Sequence, residues 1–151
     1  MAIKNNIKIK KKKRLTNIKF EKIDLGSKKF MKLGKFDFIY CRFLLHAISK
    51  KIENKLLGSI SKLCIKKKTI IMLEFRTTKD PLIKKGKKIG YNETFTNHFR
   101  RFIDVKILLK NIIKTIKFKI IKVLEKKGFA KFKNENPVVC RLLIKRNNYA
   151  N

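Results

Sequence analysis

Apolar residues recur along this chain in two alternating rhythms. From Ser49 to Cys64, the residues Ile52, Leu56, Leu57, Ile60, Leu63 and Cys64 form one stripe at the 3.6-residue spacing of a helix. Val105, Leu108, Leu109, Ile112, Ile113 and Ile116 repeat that stripe after Asp104, whose short carboxylate suits an N-cap. Between these stretches lie compact apolar runs without helical period. Phe36–Tyr40 and Thr69–Phe75 are nearly continuous, as strands covered on both faces are. Phe118–Leu124 and Val138–Ile144 read as two closing strands, joined through the turn Asn134-Glu135-Asn136-Pro137. Ile18, Phe20 and Ile23 mark a short strand within Asn17–Asp24 that ends on an acid, and the polar stretch 2–13 reads as a helix remnant. Strands alternating with helices define an α/β layered domain.

One stretch breaks the rhythm. Arg76 to Asp104 is polar, weakly periodic and follows the best buried strand, so it reads as a long loop. A long loop inside a compact domain is usually functional. This one leaves the sheet at the edge where α/β folds bind ligands.

Composition changes the picture chiefly through charge. The 151 residues suffice for one compact domain, and 44% hydrophobic residues exclude a disordered chain. Lys plus Arg number 42 against 10 Asp plus Glu, a net +32. Such a field attracts anions, and nucleic acid is the first partner to consider. Seven of the 42 are arginines (Arg14, Arg42, Arg76, Arg100, Arg101, Arg141, Arg146), whereas bidentate phosphate and base readout favours Arg. The lysines are spread through every segment, so a lysine-biased composition on solvated faces stands beside a nucleic-acid surface as the second reading. Cys41, Cys64 and Cys140 are far apart, which argues against a zinc site or a disulfide framework and fits a reducing cytoplasm. No apolar run approaches the roughly 18–20 residues of a membrane span.

Three local sequences, in order, resemble the class I S-adenosylmethionine-dependent methyltransferase fold from its third strand onward. They are Lys35-Phe36-Asp37-Phe38-Ile39-Tyr40-Cys41-Arg42-Phe43-Leu44-Leu45-His46, Leu73-Glu74-Phe75-Arg76-Thr77-Thr78-Lys79-Asp80, and Asn97-His98-Phe99-Arg100-Arg101-Phe102-Ile103. The resemblance implies a partial Rossmann-like methyltransferase sheet, strands 3–7 of seven, with flanking helices. It implies S-adenosylmethionine as cofactor, with Asp24 and Leu25 at the third-strand end and Tyr40, Cys41 and Arg42 beside the reacting methyl group. Nothing in the chain matches the family's glycine-rich first strand or its second strand. The resemblance therefore implies a truncated domain over residues 35–146, a loosely packed remnant over 1–34, and a tail over 147–151. Without those strands, Phe36–Tyr40 becomes an open apolar edge, the sheet is a four-stranded remnant, and a second chain supplying the missing strands is an implied partner.

Within that frame His46 and His98 are the candidate bases, and Glu74, Arg76 and Arg101 the candidate contacts to a small, anionic acceptor, with Arg42 as a further anchor. Each has a plainer reading. His46 fits a packed, hydrogen-bonded histidine, Glu74 a salt bridge to Arg76 or Arg42, and His98 with Arg100 and Arg101 a solvated basic turn. The functional alternatives are a methyltransferase-like protein and a basic nucleic-acid-binding module without chemistry.

Overall fold

A computed structural model describes residues 2–25, 27–65, 68–116 and 118–146. It divides into two compact units, Met1–Leu33 and Gly34–Asn151. The expected tail, 147–151, lies outside the described residues.

The first unit holds helix α1 (Ala2–Lys12) and the single turn α2 (Lys28–Met31). Ser27 starts α2 by accepting the Phe30 N–H on its Oγ. Glu21 is held by Lys19 and by Lys29, the latter at 3.4 Å. The strand expected over Asn17–Asp24 is absent: these residues are irregular. A lone strand leaves both rows of backbone groups unpaired, and the described residues of its unit supply no neighbour.

The second unit is built on a four-stranded mixed sheet in the order β1-β2-β7-β6. Its strands are β1 (Phe38–Arg42), β2 (Ile70–Arg76), β6 (Phe118–Lys126) and β7 (Val139–Arg146). β1 and β2 are parallel, so the chain must cross over between them; it does so through α3 (Lys50–Leu63). β7 runs antiparallel to both β2 and β6. Ser49 caps α3, accepting the Ile52 N–H at 3.4 Å, and Leu56, Leu57, Ile60 and Leu63 are buried along its inner stripe. Ile52, expected on that stripe, is 42% exposed. Glu53 turns inward in its place. Asp104 caps α4 (Val105–Asn111) as expected, after which the backbone widens into a π turn, Ile112–Ile116.

On one face of the sheet Ile71, Leu73, Phe75, Leu142 and Ile144 are fully buried. Each such side chain contributes about 1.5–3 kcal/mol by leaving water. The other face is different. Phe38 is 53% and Tyr40 45% exposed, so Phe36–Tyr40 is not covered on both sides. Among the described residues β1 pairs only with β2, so its other edge carries no strand.

The stretch 76–104 is not a loop. It carries a second, three-stranded antiparallel sheet: β3 (Lys87–Gly90), β4 (Glu93–Phe95) and β5 (Phe99–Arg101). The strands are three or four residues long, too short to show alternation in the sequence. The turn Tyr91-Asn92 joins the first two, with Asn92 in the left-handed region (φ 57°) that Asn tolerates well. A parallel bridge from Thr77 to Ile103 fastens the return of this insertion beside the end of β2.

Candidate active site

The carboxyl ends of the parallel pair, Arg42 and Arg76, define the edge from which the insertion departs. Here the backbone turns sharply. Phe43 follows β1 with φ 53°, a conformation that costs a non-glycine residue roughly 1–2 kcal/mol. The Phe43 N–H donates to the Glu74 carbonyl at 2.8 Å, which fixes the turn. Strain of this kind persists where surrounding structure imposes it, and it collects at functional sites.

Glu74 lies in mid-strand with a fully buried side chain. Its Oε1 accepts from Arg42 Nε at 3.1 Å and its Oε2 from Arg141 Nε at 2.7 Å. One carboxylate thus ties β1, β2 and β7 together. Arg141 also donates to the Phe129 carbonyl at 3.0 Å and stacks over that ring at 4.3 Å, while Arg42 covers Phe43 at 4.9 Å. Partial burial, and then the Glu74 carboxylate, hold the Tyr40 phenol above its ordinary value. Burial pushes the Cys41 thiol up to about 11, so it is neutral near pH 7.

His46 sits in the short 3-10 turn Leu45–Ala47, its ring 5.1 Å from Phe43. Its Nδ1 accepts the Arg76 backbone N–H at 3.3 Å. That assigns the ring proton to Nε2 and makes the outward nitrogen a donor. Burial first, then the charges of Arg76, Arg100, His98 and Arg101, lower its pKa to about 4. His98 is exposed on the approach to β5. Arg100 donates to Thr96 Oγ1, and its pKa is lowered by burial and by Arg76.

Arg76 and Arg101 are both committed to acceptors within the chain. Arg76 donates to Asp80 at 3.1 Å and to Glu135. Arg101 donates from Nε to the Ile48 carbonyl and from Nη2 to the Leu45 carbonyl, each at 3.0 Å, and its Nη2 also pairs with the buried Glu53. Lys50 pairs with the same carboxylate. Glu53 is buried, displacing Ile52 from the core stripe, because two cations and a strand depend on it.

The structure therefore brings His46, Arg76, His98 and Arg100 into one electrostatic neighbourhood at the end of β2. Tyr40, Cys41, Arg42 and Glu74 gather at the end of β1. Asp24 and Leu25 lie in the other unit, where the Asp24 carbonyl accepts from Ser27. Sequence reasoning missed Phe43, Glu53 and Arg141. Asp80-Pro81 was a readable signal: Asp80 Oδ1 caps the 3-10 turn Pro81–Lys84, accepting the Leu82 N–H at 2.9 Å. Among the described residues no three His, Cys, Asp or Glu are placed to hold a metal ion, and no helix is long and apolar enough to cross a membrane.

The fold is similar to that of solved methyltransferases. An S-adenosylmethionine-dependent methyltransferase from Clostridium acetobutylicum matches with a TM-score of 0.64 at 13% identity, over 95% of this chain and 71% of its own. One from Methanosarcina mazei gives 0.66 at 12%, over 85% and 67%. The 1,6-didemethyltoxoflavin-N1-methyltransferase of Burkholderia thailandensis, with bound S-adenosylhomocysteine, gives 0.52 at 9%, over 79% of this chain and 48% of its own. No family model matches, and no curated protein does. The chain has the fold of the class I S-adenosylmethionine-dependent methyltransferases, with a mixed α/β sheet and flanking helices.

Proposed function

We propose that this chain takes part in S-adenosylmethionine-dependent methyl transfer to a small-molecule acceptor at the carboxyl ends of β1 and β2. The observation that carries the reading is the strained turn at Phe43, where β1 ends beside its parallel neighbour β2. It coincides with the ligand-binding edge of α/β sheets. The exposed rings of Phe38 and Tyr40 offer flat, apolar contact suited to a purine. The cofactor would supply an electrophilic methyl group on sulfur. The protein's own part is to position the acceptor and, where needed, take its proton.

In this reading Tyr40, Cys41 and Arg42 contact the cofactor. His46 Nε2–H donates to the acceptor, and exposed His98 is the candidate general base. The open edge of β1 is where a second polypeptide supplying further strands would pair. Calorimetric titration with S-adenosylhomocysteine tests the proposal. Saturable heat with a Kd below about 1 mM supports it, and no heat at millimolar ligand overturns it.

The net charge of +32 supports a second reading, a basic nucleic-acid-binding module. Against it, Arg42, Arg76, Arg100, Arg101 and Arg141 all donate to groups of the chain itself. A steep loss of RNA affinity between about 50 and 200 mM salt, with no S-adenosylhomocysteine binding, would favour this module.

A further inference from the structure

Arg76, at the carboxyl end of β2, holds two acids of different kinds. Asp80 is buried, pairs with Arg76 at 3.1 Å and caps the turn Pro81–Lys84, so it is a fixed part of the fold. Glu135 is 56% exposed and reaches Arg76 Nη2 from the turn between β6 and β7. That turn closes on its own backbone: the Phe132 and Glu135 N–H groups donate to each other's carbonyls, at 3.0 and 2.9 Å. It does not need the Glu135 carboxylate, and a pair with one partner this exposed adds little to folding.

Arg100 shares the same field. It is half-buried, and among the described residues its acceptors are the neutral oxygens of Thr96 and Asn97. Arg76 repels it and Glu135 attracts it, while Arg76, Arg100 and His98 all act on Glu135. A cavity of about 240 Å³ opens between the β6–β7 turn and Pro81–Lys84, with Arg76 and Lys85 balanced in its walls by Asp80 and Glu135. The balance depends on Glu135. Once that side chain turns to solvent, two cations face one buried acid, and Arg100 adds a further positive charge nearby.

We propose that Glu135 is an internal stand-in for a ligand carboxylate, which displaces it and takes Arg76 Nη2 and Arg100 in its place. A planar carboxylate matches the guanidinium fork. Neutral and cationic ligands cannot replace Glu135 on Arg76, so the turn selects for an anion. As a statement about the acceptor, a small carboxylate, this rests on the methyl-transfer reading; as a binding subsite it does not.

The test is an NMR titration with benzoate, benzamide and benzylamine (protonated near pH 7) at constant ionic strength, without cofactor. Benzoate is expected to saturate shifts at residues 76–78, 98–100 and 134–136, and the other two to leave them unmoved. Glu135→Gln removes the competitor and should tighten benzoate about fivefold. Glu21→Gln makes the same change in net charge in the other unit, where Lys19 and Lys29 hold Glu21, and should leave the affinity unchanged. Arg100→Gln should weaken benzoate at least about fivefold. Unchanged or weaker benzoate binding in Glu135→Gln, an equal gain in Glu21→Gln, unchanged affinity in Arg100→Gln, benzamide bound as well as benzoate, or no benzoate binding by any variant would overturn the subsite. Absence of S-adenosylhomocysteine binding with benzoate binding intact would remove only the methyl-transfer reading, and the reverse only the subsite.

Discussion

The two faces of the four-stranded sheet are held by different physics. One is hydrocarbon: Ile71, Leu73, Phe75, Leu142 and Ile144 have no exposed surface. The other is organised by one buried carboxylate, Glu74, clamped by Arg42 and Arg141, and it leaves Phe38 and Tyr40 open. The first face needs only shape and apolarity. The second fixes the relative position of three strands through directional bonds and leaves its aromatic surface available. Stability is concentrated on one side and the candidate chemistry on the edge of the other.

Substitutions on each face measure that difference. Leu73→Ala is expected to have the largest effect, about 3–4 kcal/mol lost in urea denaturation, because a buried leucine leaves a cavity. Glu74→Gln comes next, at about 2 kcal/mol. The carboxylate is fully buried, but Arg42 and Arg141 retain 58% and 36% of their side-chain exposure and so recover hydration.

Acid should act through His46. Its folded pKa of about 4 lies below the unfolded value near 6.5, so the unfolded chain binds the extra proton between those values. Its contribution to stability is therefore present above about pH 6.5 and is lost as pH falls toward 4. The unfolding free energy should drop by on the order of 2 kcal/mol across that window, and the drop should shrink in His46→Gln. The smallest effect belongs to the open face. Phe38→Thr and Tyr40→Thr should each change stability by less than about 0.5 kcal/mol. The same two substitutions are expected to weaken S-adenosylhomocysteine binding, separating the stabilising face from the face that holds ligand.

Much of this arrangement was legible where a signal is local. Leu56, Leu57, Ile60 and Leu63 fell where period 3.6 put them, and Asp104 capped α4. The four strands of the main sheet were readable because each is five to nine residues long and mostly apolar. Residues 17–24 failed because β-pattern is necessary but pairing decides. The three strands of the insertion failed for the opposite reason: Lys87–Gly90 and Phe99–Arg101 show almost no alternation, and cross-strand bonds alone define them. At the site, the Glu74–Arg42 pair could be guessed from adjacent parallel strands. Arg141 could not, being 67 residues away. Glu53 looked like a solvated helix residue, since its partner Arg101 lies 48 residues on.

Hydrogen exchange with and without S-adenosylhomocysteine tests the central claim most directly, that ligand binds at the carboxyl edge of β1 and β2. Added ligand should slow exchange at residues 40–43 and 76–78 and leave β6 and β7 unchanged. Protection confined to β6 and β7, or no change at the edge with the ligand bound, would contradict it.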